Sequence, residues 1–312
     1  MAPTLQDISH LVPMAPRTVA SAAIASDPPT HQVPGSNDRG ERFLPPTLFK
    51  SVRRFLAKHT LPSLIRSRPA RYLLVFGVPG VGKTAGVLMS ASELGWGVLV
   101  ISAAELSGDT EGIASKRFRD ALARASAISC RHGYPVAVLI DDMDLSIAGP
   151  DDGRTEKTIN SNLLMQDIQW LADQPQMFTT CRGGPVPILF TGNDARFRPS
   201  LFRDGRADRI TYAPTSDEQR EIVTRLFRPT TAGEAWTVRA IARAYSRKPV
   251  SFFVALKSDL DVARLDAALD AGSGLDDLAR IEAELAKTES LDGRLLKRLA
   301  KARAANDACN HL

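Results

Sequence analysis

The chain has 312 residues, 44% of them hydrophobic and 24% charged, an ordinary balance for a soluble globular protein. No apolar run approaches the roughly 20 residues of a membrane span. Cys130, Cys181 and Cys309 are too far apart for a zinc spacing or a disulfide framework, so a reducing, cytoplasmic compartment is expected. The net charge of +5 permits contact with nucleic acid or an acidic protein but implies neither.

Residues 1–42 are rich in Ala, Pro, Ser and Thr, and the strings PPT (28–30) and VPGSNDRGE (33–41) read as linker. Disorder is expected there, with a short docking segment around Ile8, Leu11, Val12 and Met14 as the alternative. No basic segment followed by an apolar core marks a secretory signal, and Asp7 with few arginines argues against a transit peptide. From Phe43 the texture changes. Leu48, Val52, Phe55 and Leu56 fall at helical spacing. Strands are predicted over 72–76, 97–102, 136–140, 187–191 and 209–213, with helices over 115–130 and 159–173. Five buried strands alternating with helices predict a parallel sheet covered on both faces. After Pro214 the pattern turns wholly helical. A Ser216-x-x-Gln219 capping box opens one helix, Val238, Ile241, Ala242 and Tyr245 line a second, and Phe253, Leu256 and Leu260 start a third. AGSGLDD (271–277) reads as a hinge. Beyond it 278–299 is predicted helical, ending in a basic stretch from Arg294 to Arg303 that suits a surface helix or partner contact, with nucleic-acid binding as the rival.

The chemistry concentrates at strand ends. Gly77, Val78, Pro79, Gly80, Val81, Gly82, Lys83 and Thr84 spell GVPGVGKT between the first strand and a helix, the setting a phosphate-binding loop requires. Glycines let the backbone curl so that N–H groups face phosphate oxygens, and the helix start adds its positive dipole end. Lys83 would reach the β- and γ-phosphates of ATP and the Thr84 hydroxyl would hold Mg²⁺. A glycine-rich turn that needs no ligand is the bland alternative. Asp141 and Asp142 end the third strand, a Walker B arrangement. Asp141 would hold the metal and Asp142 would orient or deprotonate the attacking water, unless the segment is only an acidic turn. Asn193 follows the next strand, where it would meet the water or the γ-phosphate, although Gly-Asn-Asp is also an ordinary turn. Arg203 and Arg206 precede the last strand. They would reach a neighbouring subunit's γ-phosphate or merely form an exposed, salt-bridged turn.

In this order the motifs resemble the AAA+ ATPases. The strings ISAAELSGDTEGIASKRFRDALARA, IDDMDLSIAGPDDGRTEKTINSNLLMQDIQWLAD, VPILFTGNDARFRPSLFRDGRADRITYAPTSDEQ and PVSFFVALKSDL are similar to stretches of Rubisco activase, from about Phe43 to Asp261. The resemblance implies a P-loop α/β domain over 43–213 with a five-stranded parallel sheet in the order 5-1-4-3-2. A small all-helical lid over 214–270 and a C-terminal helical extension over 271–312 would follow. It implies ATP at the interfaces of a ring, usually a hexamer, with Arg203 and Arg206 as arginine fingers in trans, Asn193 as sensor 1 and Lys257 as sensor 2. The family has arginine at the Lys257 position and again two residues later, where this chain has Asp259. The phosphate loop also departs from the activase GKGQGKS pattern, and residues 1–42 do not resemble the activase N-terminal domain. The implied pore loops, 105–112 and 145–154, are acidic and lack aromatics, which suits a basic peptide tail better than nucleic acid. Two functions follow as expectations: a remodelling ATPase acting on a protein client, Rubisco or another enzyme, or a DNA-associated loader or transposition helper. A phosphotransferase lacks a recognisable acceptor site.

Overall fold

A computed structural model describes residues 43–106, 111–143, 159–174, 176–193, 205–270, 281–283, 285 and 290–309. The expectations for 1–42, for the 271–277 hinge, for Arg203 and for the loop 145–154 lie outside the described residues. In chain order the elements are α1 (Pro46–Lys58), α2 (Pro62–Arg66), β1 (Tyr72–Phe76), α3 (Lys83–Glu93), β2 (Gly97–Ser102), a 3₁₀ turn (Ala103–Leu106), α4 (Ile113–His132), β3 (Val136–Asp141), α5 (Ile159–Ala172), β4 (Ile188–Gly192) and β5 (Ala207–Thr211). They continue with α6 (Ser216–Phe227), α7 (Ala232–Ala244), α8 (Val250–Asp270) and α9 (Gly293–Cys309).

The five strands form one parallel sheet in the order β2-β3-β4-β1-β5, the expected order read from the other edge. Strand side chains alternate between faces, and each face has its own apolar layer. Tyr72, Leu74 and Phe76 of β1, with Val138 and Ile140 of β3, pack with Phe118 and Leu122 of α4 and Ile168 of α5. Leu73 and Val75, with Ala137 and Leu139, pack with Leu48, Val52 and Phe55 of α1 and Val87 of α3. Burying each large side chain stabilises the domain by roughly 1.5–3 kcal/mol. β5 starts two residues before the predicted 209. It is an edge strand beside β1 and is incompletely buried, so polar Asp208 belongs to it.

The helical part differs from its prediction in two places. The capping box at α6 is one residue earlier: Thr215 Oγ1 accepts from the Glu218 amide while Glu218 accepts from the Thr215 amide. Thr215 takes the extended conformation a cap needs, with Glu218 three residues on to close the box. A second box, Thr231–Glu234, opens α7. The helix predicted to run from 278 to 299 is instead interrupted at 290–292, and α9 begins at Gly293 and extends to Cys309. Asp292 accepts from the amides of Arg294 and Leu295, capping the new start. α9 is not simply a surface helix. Leu296 and Ala300 are fully buried in one cluster with Val223, Val238, Phe253 and Leu256, while Arg294, Lys297, Arg298 and Lys301 face outward.

At the far end of the sheet from the strand C-termini, Arg71 is buried with no carboxylate partner among the described residues. Its guanidinium donates to the carbonyls of Val186, Leu171, Gln174, Met177 and Phe178. Burial lowers its pKa to about 10. Beside it, His59 is fully buried; Nδ1 donates to the Phe55 carbonyl at 3.0 Å and Nε2 has no hydrogen-bond partner. Burial lowers the His59 pKa to about 4; the Phe55 carbonyl opposes that shift, Arg71 and Lys58 reinforce it, and Asp208 opposes it weakly. Between pH 6.5 and 4 the unfolded chain therefore takes up a proton that the folded chain refuses. Stability is whole above pH 6.5 and falls by about 3 kcal/mol as the pH drops to 4. His59→Leu should remove that part of the acid loss, measured as a shallower fall in urea-unfolding free energy than in the wild type over the same pH range.

Candidate functional site

Because every strand is parallel, the C-terminal ends of β1, β3 and β4 open on one edge of the sheet. The sequence places GVPGVGKT, Asp141-Asp142 and Asn193 at those three ends, and the fold brings them together. α3 starts at Lys83 behind Gly82, which has a φ of +88° and makes no side-chain cap. A helix N-terminus of that kind offers its first-turn amides to an anion. Gly80 is also left-handed, with a φ of +74°. Gly77 is needed for another reason: a Cβ there would stand 2.2 Å from the backbone oxygen of Tyr212, the residue after β5. The Tyr212 amide donates to the Phe76 carbonyl at 2.6 Å, so the strand that flanks the loop also fixes its first turn.

Lys83 is only 6% exposed, and its ammonium is held across the loop. Nζ donates to the carbonyls of Gly77 at 2.9 Å and Val78 at 3.1 Å, and to Asn193 Oδ1 at 2.9 Å. Thr84 Oγ1 donates to Asp141 Oδ1 at 2.7 Å, and the buried Thr191 hydroxyl on β4 donates to the same oxygen. Asp142 is exposed and sits at a φ of +52°, a left-handed turn that separates its direction from that of Asp141. The donor set fits a magnesium nucleotide: an ammonium beside uncapped amides for phosphate, and a hydroxyl paired with a carboxylate for a hard cation.

Two predicted residues lie elsewhere. Arg206 precedes β5, whose Ala207 pairs with Tyr72 at the start of β1. It is therefore at the opposite end of the sheet from its own phosphate loop, five strand residues or roughly 17 Å away. There it forms a two-point ion pair with Asp173, which follows α5: Nη2 lies 2.5 Å from Oδ2 and Nε 3.3 Å from Oδ1. The Arg206 side chain is 14% exposed and that of Asp173 56%. Lys257 lies on α8 and pairs with Asp261 one turn on. Asp259 is gripped by Arg303 of α9 through two bonds of 2.6 Å. Of the residues expected in a pore loop, Glu105 accepts from the Ser102 amide and its carbonyl accepts from Arg117.

Thr191 was not among the expected site residues; a hydroxyl one residue inside a strand end, on the strand next to an acidic one, is the signal. Nor was Glu218, whose carboxylate accepts from the amide and hydroxyl of Thr47 at the start of α1. Burial alone would raise the Glu218 carboxyl, but these donors and those of Thr215 hold it below the usual range.

With this geometry established, comparison with known proteins shows what the chain is similar to. Residues 73–215 match the ATPase family associated with various cellular activities (AAA). The chain is 28% identical over 206 residues to the chloroplastic ribulose bisphosphate carboxylase/oxygenase activase of Solanum pennellii, covering 64% of this chain and 44% of the relative. It is 26% identical over 231 residues to activase A of Hordeum vulgare, covering 71% and 48%, and 29% identical over 215 residues to the activase of Cucumis sativus, covering 66% and 50%. Residues 73–215 thus resemble an AAA domain and lie in a P-loop α/β fold followed by a helical part, and the chain resembles the Rubisco activases. It spans about half the length of the curated relatives it matches. Those relatives are named chloroplastic; in this chain no helix among the described residues is long and apolar enough to cross a membrane.

The close approach at Gly77 gives a direct check. Gly77→Ala should cost about 1–3 kcal/mol, because backbone must move to admit the methyl group. Thermal unfolding should show a Tm lowered by roughly 5 °C, and titration with a fluorescent ATP analogue should show affinity reduced at least tenfold.

Proposed function

We propose that the protein hydrolyses ATP at interfaces between its own copies in a ring, a hexamer by family resemblance, and remodels a protein client. The observation that carries the reading is the pair of contacts across three strand ends, Lys83 with Asn193 and Thr84 with Asp141. On phosphate binding Lys83 exchanges loop carbonyls for the β- and γ-oxygens, and the backbone of 77–84 wraps them. Thr84 and Asp141 would hold Mg²⁺, which neutralises charge on those oxygens. Thr191 keeps Asp141 oriented toward Thr84. Asp142 orients and deprotonates the attacking water, and Asn193 positions it.

Arg203 and Arg206 act in trans in this reading. For Arg206 the argument is its place at the far end of β5, from which its own loop is out of reach. To serve a neighbour it must leave Asp173. That pair is open to solvent on the carboxylate side, and such pairs stabilise by about 0–1 kcal/mol. A γ-phosphate in a dry interface is the stronger partner, so the pair does not prevent the exchange. Lys257 would contact phosphate only by releasing Asp261, and as a point charge rather than a fork.

The client is a protein, Rubisco or another enzyme, on the strength of the resemblance to activases. A DNA-associated loader is the second reading, favoured by the outward basic residues of α9. It ranks lower because part of that charge is used within the chain: Arg303 holds Asp259 and Lys297 lies over the Trp236 ring.

Turnover per chain should rise steeply with protein concentration as copies assemble. Arg206→Ala should lower it about a thousandfold or more while nucleotide still binds; full turnover by a dilute monomer would refute the trans arrangement. Hydrolysis-deficient Asp142→Asn should retain its client in a pull-down, and recovery of DNA in place of protein, with DNA-stimulated turnover that falls steeply with salt, would favour the loader.

A further inference from the structure

We infer that Ser251, in the first turn of α8, is a positioning residue that ties the angle of the helical lid to the state of the phosphate loop. This deepens the ATPase reading above and rests on it. The Ser251 amide donates to the Gly80 carbonyl at 2.9 Å. First-turn amides of a helix have no partner within the helix, so the loop supplies one that α8 lacks. The contact is also tight. A Cβ at Gly80 would stand 2.1 Å from Ser251 Oγ, 2.7 Å from Ser251 Cβ and 3.7 Å from Pro249 Cβ. No methyl group fits between the loop tip and the helix.

The helix end touching the loop cannot shift alone. Gln219 of α6 is buried and its Nε2 donates to the Lys248 carbonyl at 2.7 Å, which fixes the segment entering α8. Phe252, Phe253, Leu256 and Leu260 of α8 lie in the lid core. A rotation of the Gly80 peptide therefore either breaks one hydrogen bond or moves the lid as a body. Coupling of lid to loop requires that the Gly80 peptide turn as the loop's amides close on phosphate. Meanwhile the charged groups further along α8 are occupied: Lys257 by Asp261, and Asp259 by Arg303. The link between nucleotide and lid runs through the Gly80–Ser251 contact, ahead of any side-chain cation on that helix.

The test uses the full chain with Cys130, Cys181 and Cys309 replaced by Ser and spin labels at Lys50→Cys on α1 and Arg239→Cys on α7, both exposed. In the wild type, ADP and a non-hydrolysable ATP analogue with Mg²⁺ should give different label distances. Ser251→Leu should bind both nucleotides within about threefold of wild type, lose the distance difference and turn over at least tenfold more slowly. Lys257→Ala should keep the distance difference. A complementary pair covers misfolding of the leucine variant. Gly80→Ala should lose the difference, and Gly80→Ala with Ser251→Gly, which opens the space again, should regain part of it. Wild-type behaviour in Ser251→Leu, loss of the difference in Lys257→Ala, or no regain in the double variant overturns the inference while leaving the ATPase reading intact. A wild-type chain that neither binds nor hydrolyses ATP overturns that reading and the inference with it.

Discussion

A parallel sheet has one chemical edge, and that constraint governs the rest of this molecule. Every strand leaves at the same side, so groups distant in sequence meet there without long loops to carry them. Asp141 ends a strand two places from β1, yet it bonds Thr84 at 2.7 Å because β4 fills the gap between them and contributes Thr191 to the same oxygen. The same order puts β1 between β4 and β5. Asn193 then approaches Lys83 from one side, while the Tyr212 carbonyl presses on Gly77 from the other. The glycine at 77 is thus set by the neighbouring strand rather than by its own conformation. What stands at the other edge is chemically different. There a buried guanidinium satisfies five carbonyls, and a partly exposed arginine pairs with a partly exposed aspartate.

Among the described residues, polar ties join the helical part to the α/β domain. Glu218 closes its own capping box and, with the same carboxylate, the start of α1. Ser251 closes the loop tip. Each tie joins a helix start to groups that would otherwise lack partners, so breaking one exposes an amide to water instead of opening a cavity. That costs about 0.5–1.5 kcal/mol for an ordinary hydrogen bond and somewhat more for one to a carboxylate. The apolar cores on either side stay whole. Such an arrangement is suited to hinge motion, since the two bodies remain folded while the contacts between them change.

Much of this was legible in the sequence where one physical rule dominated. Apolar runs gave the strands to within two residues, and loop, acidic end and polar end fell in an order that only a parallel sheet makes useful. Leu48, Val52, Phe55 and Leu56 were read at helical spacing, and all four are buried. The misreadings lie where two local rules compete. Thr215 and Ser216 both suit a cap, and the choice fell to Thr215, with Glu218 to close the box. Asp208 looks like loop, but an edge strand tolerates it. Contacts such as Gly80–Ser251 and Arg206–Asp173 were not legible. They depend on how separate elements pack, and no periodicity or spacing along one segment encodes that.

The departure at residue 259 shows how a change that looks disabling by resemblance is absorbed. An aspartate where related chains carry a second arginine removes a cation from α8. Left alone, a carboxylate there would sit one turn or less from Lys257 and Asp261 and would repel phosphate. Arg303 changes its character by binding it at two points, and Leu296 and Ala300 of the same helix fill the lid core beside it. The Glu234 carboxylate accepts from the Leu291 amide just before α9, so the helix is anchored at its entry as well. Asp259 and α9 therefore form one unit: the carboxylate is neutralised only while α9 is docked, and α9 is oriented by the carboxylate it neutralises. The Asp259–Arg303 pair thus fixes α9 against α8, while the start of α8 is tied to the phosphate loop by the backbone contact at Gly80.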